Sequence, residues 1–115
     1  MNISGNWTYS EDFEYGNSAG EVKITQTGNN VSAVFTFTEK VENDYEIDVI
    51  EKVQGTITDG NILLESTAVK ATQDNKEIEY IPNTFEIHRI SGTKIIGSSY
   101  DHDNVCGVFV LERIK

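Results

Sequence analysis

Apolar and polar residues alternate with a period of two along most of the chain, and no segment sustains a helical period. Val22, Ile24 and Gln26 fall on one side of the run 20–28, against Glu21, Lys23 and Thr25 on the other. Val31, Ala33, Phe35 and Phe37 share a side of 31–39, and Ile47, Val49, Val53 and Ile57 share a side of 45–58. Similar runs of β-branched and aromatic residues occupy 62–72, 78–90, 94–100 and 105–114. Turn formers separate them: Gly28-Asn29-Asn30, Asp59-Gly60-Asn61, the polar run 73–77, Ser91-Gly92-Thr93 and Asp101-His102-Asp103-Asn104. With a first strand around Trp7, the pattern predicts about eight strands in one all-β domain over 1–115.

Strands joined by tight turns pair with their sequence neighbours in antiparallel fashion. An open meander of that kind leaves two bare edges, and closing it into a ring removes both. The expected architecture is therefore an up-and-down eight-stranded barrel, with a two-sheet sandwich as the alternative. Such a barrel has an interior that side chains either fill or leave open for one small ligand. The expected interior is Phe35, Phe37, Ile47, Val49, Ile62, Leu64, Phe85, Ile87, Phe109 and Leu111. Pro82 has no N–H for a ladder, which predicts a bulge or break near 81–83.

Several polar residues fall in phase with that interior. Gln26 follows Val22 and Ile24, Glu51 lies between Val49 and Val53, Ser66 follows Leu64, and Arg89 follows Ile87. A buried polar or charged group needs a partner. Either Glu51 pairs with Arg89, or a bulge turns Glu51 outward, or these groups line a pocket and orient a ligand. On the last reading the candidate ligand-binding residues are Gln26, Phe35, Phe37, Glu51, Ser66, Phe85 and Arg89.

Gly5-Asn6-Trp7 on the first strand resembles the G-x-W signature of the calycin barrels, the superfamily of lipocalins, fatty-acid-binding proteins and avidins. The resemblance implies that Trp7 packs at the closed end of the barrel, beneath an arginine from near the C-terminus. Arg113 stands in the matching place. It also implies a binding protein rather than an enzyme. Trp7 is the only tryptophan, so the likeness does not extend to the tryptophans that enclose biotin in avidins. Residues 11–19 are too few for the helical lid of fatty-acid-binding proteins.

Charge adds a second reading. The chain holds 19 acidic against 9 basic residues, for a formal net charge of −10. Such a surface repels nucleic-acid phosphates and anionic lipid heads. The acidic residues concentrate in 39–51, where Glu39, Glu42, Asp44, Glu46 and Asp48 form a candidate surface for a basic protein partner. The alternative function is therefore an acidic interaction module, such as an immunity protein or inhibitor.

Catalytic chemistry finds little support. Of the histidines, His88 is out of phase with Phe85 and Ile87 and is expected to face outward, while His102 sits in a turn whose aspartates suit Asx-turn bonding. Cys106, the only cysteine, alternates with Val108 and Val110 and is expected to be a packed thiol. No cofactor, metal site or catalytic set is expected. The sequons at Asn2, Asn6 and Asn30 are ascribed to chance in a chain rich in Asn, Ser and Thr. No run is apolar and long enough for a transmembrane helix, and "MNISGNW" lacks the pattern of a signal peptide. With a single cysteine, this favours a cytoplasmic location.

Overall fold

The structure, a computed structural model, describes residues 2–13, 15–103 and 105–114. Asn104, the last residue of the expected turn at 101–104, lies outside the described residues. The strands are β1 (Gly5–Phe13), β2 (Gly16–Thr27), β3 (Asn30–Val41), β4 (Tyr45–Thr58), β5 (Asn61–Gln73), β6 (Lys76–Ile78), β7 (Thr84–Ile90), β8 (Lys94–Tyr100) and β9 (Cys106–Arg113). Each pairs antiparallel with its neighbours in the order β4-β3-β2-β1-β9-β8-β7-β5, and pairing of β4 with β5 closes the ring. This is the up-and-down eight-stranded barrel, not the sandwich.

β6 and β7 share the remaining place in the ring. β7 pairs with Ile62–Glu65 of β5, and β6 pairs with Ala71–Gln73. Residues 79–83, with Pro82 among them, leave the ladder between the two, as the missing N–H requires. The tightest hairpins also follow their sequence. Asp59 and Gly60 both have positive φ, 51° and 80°, the conformation a two-residue loop needs to match strand twist.

Two irregularities in the ladders change which residues face inward. Thr67 has no partner opposite Lys52 and Val53, so the inward set on β5 switches from Ile62 and Leu64 to Ala71. His88 is likewise skipped between Ile87 and Arg89. This turns Arg89 out to solvent and brings Ile90 partly inside. Arg89 is therefore not an interior group, and neither a pairing of Arg89 with Glu51 nor an outward Glu51 is found. Glu51 has 0% exposure. On β9 the inward residues are Gly107, Phe109 and Leu111, so Cys106, Val108 and Val110 alternate on the opposite face. Cys106 is exposed rather than packed.

The closed end is built around Trp7, which has 0% exposure. Trp7 and Arg113 are directly opposite on β1 and β9, and the guanidinium carbon stands 4.3 Å from the indole centroid. The indole Nε1 donates to the Ile3 carbonyl at 3.0 Å. Arg113 Nη1 donates to the Ser4 carbonyl at 2.9 Å, and Nε donates to the Gly92 carbonyl at 3.0 Å. One side chain therefore ties the N-terminal segment, the first strand and the β7–β8 turn together.

Gly5 makes room for this arrangement. Its φ of 138° is one that side-chain-bearing residues rarely adopt, and an added Cβ would lie 2.8 Å from Arg113 Nη1. Gly5→Ala is expected to destabilise the protein by about 1–3 kcal/mol. In urea unfolding, Gly28→Ala serves as a control, because its Cβ would meet nothing within 4 Å although its φ is also positive, at 61°. A loss at Gly5 no larger than that at Gly28 would show that Arg113 does not need the space.

Candidate functional site

Mid-height in the barrel, aromatic rings form a solid layer. Phe35 and Phe85 stack at 4.3 Å with their planes 12° apart. Phe109 meets Phe85 edge-on at 5.6 Å, and Tyr9 meets Phe35 edge-on at 5.2 Å. Above this layer, at the end away from Trp7, the barrel opens into a cavity of about 530 Å³. That volume lies within the range of about 300–1,000 Å³ typical of small-molecule sites.

The cavity wall comes from strand ends and the 79–83 break. β1 supplies Tyr9, Glu11 and Phe13; β3 supplies Phe37, Glu39 and Val41; β4 supplies Tyr45 and Ile47; β8 supplies Ser99. The break contributes Tyr80, Ile81 and Asn83. Tyr15, Ile81 and Val105 are exposed apolar side chains among the lining residues and give the mouth an oily rim.

The polar groups inside are carboxylates held by hydroxyls. Glu11 accepts from the Tyr9 hydroxyl and the Ser99 hydroxyl, both at 2.6 Å. Gly107, opposite Phe13 on β9, leaves the space, since a Cβ there would collide with Glu11 Oε2. Glu39 accepts from Tyr80 at 2.6 Å and from Tyr45 at 2.9 Å. Glu51, deeper in the barrel, accepts from the Asn83 backbone N–H at 3.0 Å and from Asn83 Nδ2 at 3.1 Å. The Pro82 break thus releases an N–H from the ladder, and the buried carboxylate takes it.

Burial pushes Glu11 above the usual carboxylate range, against the pull of its hydrogen bonds from Ser99 and Tyr9; the charges of Glu39 and Asp12 add to the rise. Burial raises Glu51 too, opposed by its bonds from Asn83 and Ser66 and aided by the charge of Glu11. Tyr45 is pushed up to about 12 by burial and by Glu39, and Tyr9 and Tyr80 are also raised. A group whose folded pKa is raised contributes stability that is complete below its unfolded pKa and is lost as pH climbs through the folded value. Stability should therefore rise as pH falls toward the ordinary carboxylate range, about 4.3, and fall above about pH 10, where tyrosines of the unfolded chain ionise. Glu11→Gln should flatten the acid limb, because its amide does not titrate yet can still bond both hydroxyls. Melting curves across this range check the sign. A melting temperature that falls as pH is lowered toward the carboxylate range, or an unchanged slope in Glu11→Gln, would contradict it.

The residues expected from sequence to bind a ligand are mostly elsewhere. Of that set only Phe37 lines this cavity. Phe35 and Phe85 fill the layer beneath it, and Glu51 lies beneath Asn83 with Ser66 bonded to it. Gln26 works at the closed end: its Oε1 accepts from the Ile3 N–H at 2.9 Å, and its own N–H donates to Ser4 Oγ at 2.8 Å. Arg89 is exposed.

The acidic run 39–51 does not form one face. Strand alternation turns Glu39 into the cavity, while Glu46 pairs with Lys40 outside at 3.1 Å and Asp48 accepts from Thr38 at 2.8 Å. Glu42 is exposed in the β3–β4 turn, and Asp44 sits at the cavity mouth. Tyr9, Glu11, Glu39 and Ser99 were readable from phase. They follow Trp7, Phe37 and Ile95 at even spacings on their own strands.

Elsewhere, His88 is exposed and bonds Ser98 at 2.7 Å. Asp101 Oδ1 accepts from the N–H groups of Asp103 and Val105, the expected turn chemistry. Among the described residues, no group of three or more His, Cys, Asp or Glu side chains is placed to hold a metal ion.

These features define a closed antiparallel barrel plugged at one end and hollow at the other. No protein-family model matches the chain, and no curated protein matches it in sequence. Its solved structural neighbours include designed barrels. The redesigned β barrel mFAP1, bound to DFHBI, is 17% identical, with a TM-score of 0.64 over 96% of this chain and 94% of that one. The redesigned barrel mFAP0, also bound to DFHBI, is 18% identical, with a TM-score of 0.64 over 96% of this chain and 98% of its own. A fluorescence-activating β barrel designed de novo is 9% identical, with a TM-score of 0.65 over 97% of this chain and 94% of its own. At such identities the likeness is one of fold.

Proposed function

We propose that this protein is a non-catalytic binding barrel that takes one small molecule in the cavity opposite Trp7. The observation that carries the reading is the cavity itself: about 530 Å³, ring-walled, floored by a packed aromatic layer and rimmed by exposed apolar side chains. A barrel needing only to be stable would gain by filling that space. The calycin resemblance points the same way, through the Gly5-Asn6-Trp7 signature and the Arg113 contact. Barrels of similar fold, mFAP1 and mFAP0, are found bound to DFHBI.

Native mass spectrometry of the purified protein tests the proposal. The expected spectrum shows a species heavier than the bare chain by the mass of one small molecule, lost on gentle activation. A bare chain that also takes up no member of a fragment library at millimolar concentration would overturn it.

A further inference from the structure

We propose that the cavity selects a small organic cation: a protonated amine carried on an apolar or aromatic frame. The inference rests on reading the cavity as a ligand site and adds the charge of the occupant. Among the described residues no lysine, arginine or histidine lines the cavity, whereas Glu11, Glu39, Asp44, Glu79 and Asp101 do. Glu11 has 9% exposure and Glu39 is half-buried, yet among the described residues the donors that meet them are hydroxyls. Buried carboxylates are ordinarily paired with a positive group. A carboxylate accepts about four hydrogen bonds, so two phenol or serine hydroxyls leave each one with capacity to spare.

Three further observations narrow the class. The carboxylates are spread around the wall and do not converge in a metal-binding group among the described residues. An anion would face a one-sign field, which a low-dielectric wall strengthens. The rings of Tyr9, Phe37, Tyr45 and Tyr80 line the same cavity as the carboxylates and give it aromatic, apolar surroundings, which suit an ammonium on a hydrophobic body.

The test uses one frame with three charges: tryptamine, tryptophol and indole-3-acetate, titrated into the whole protein by calorimetry at neutral pH. Tryptamine is expected to bind about tenfold or more tightly than tryptophol, since a charge-assisted bond replaces a neutral one, with indole-3-acetate weakest. Glu39→Gln should weaken tryptamine severalfold more than it weakens tryptophol, removing most of the tryptamine advantage. Glu11→Gln provides the same comparison should the first variant fail to fold. Tryptophol binding as tightly as tryptamine, or indole-3-acetate binding tightest, would overturn the inference while leaving a ligand site in place. Binding of none of the three at millimolar concentration would overturn the ligand site as well.

Discussion

Trp7→Ala is expected to lower the free energy of unfolding by about 3–5 kcal/mol. That is a large share of the roughly 5–15 kcal/mol available to a domain. Trp7 is fully buried, lies across from Arg113 in the β1–β9 ladder and bonds the Ile3 carbonyl, so its removal empties the plug and loosens the N-terminal segment. β1 is also the strand whose pairing with β9 joins the first and last strands of the ring, so the loss falls on a seam. Arg113→Ala should cost less, about 1–2 kcal/mol, through one cation–π contact and its stem packing. The two losses should fall short of additivity, because the groups touch. A double-mutant cycle in urea reads the coupling directly. A coupling of zero would mean that the guanidinium does not rest on the indole.

Phe85→Ala should cost a similar amount, about 3–5 kcal/mol, for a different reason. Phe85 has 0% exposure and touches Phe35, Phe109 and Tyr9 in the mid-barrel layer. Truncation leaves a void that the surrounding ladders hold open, and the floor of the cavity drops toward Trp7. Phe85→Leu refills most of the volume and should recover more than half of the loss in urea unfolding. Equal destabilisation by both substitutions would show that the ring stack, rather than filled volume, carries the stability.

Most of the fold was legible because the period of two is clean and the turn residues demand particular conformations. β4 and β8 span 45–58 and 94–100, the limits alternation and turn signals set. What alternation does not reveal is a skipped residue. Thr67 and His88 look ordinary in sequence, and their displacement depends on the strand opposite. Arg89 was assigned inward for that reason. Cys106 is different: its alternation with Val108 and Val110 already sets it opposite the interior residues Phe109 and Leu111, so its phase argues for exposure and against a packed thiol. The cavity residues were legible in part. Glu39 continues the inward series of Phe35 and Phe37, but a run of neighbouring charges draws the eye to the surface. Asn83 carried no sequence signal as a partner of Glu51, because the two lie 32 residues apart and meet only where the ladder breaks.

The most direct measurement is chemical-shift mapping of backbone amides as tryptophol, the uncharged probe, is titrated into the protein. The expected result confines the perturbed amides to the hollow end: 9–13, 15–18, 37–47, 73–83, 99–103 and 105, with Asn6, Trp7, Gln26 and Arg113 unmoved. Perturbations centred on the Trp7 end or scattered over the outer face, or no saturable shift at all, would contradict a ligand site in the cavity.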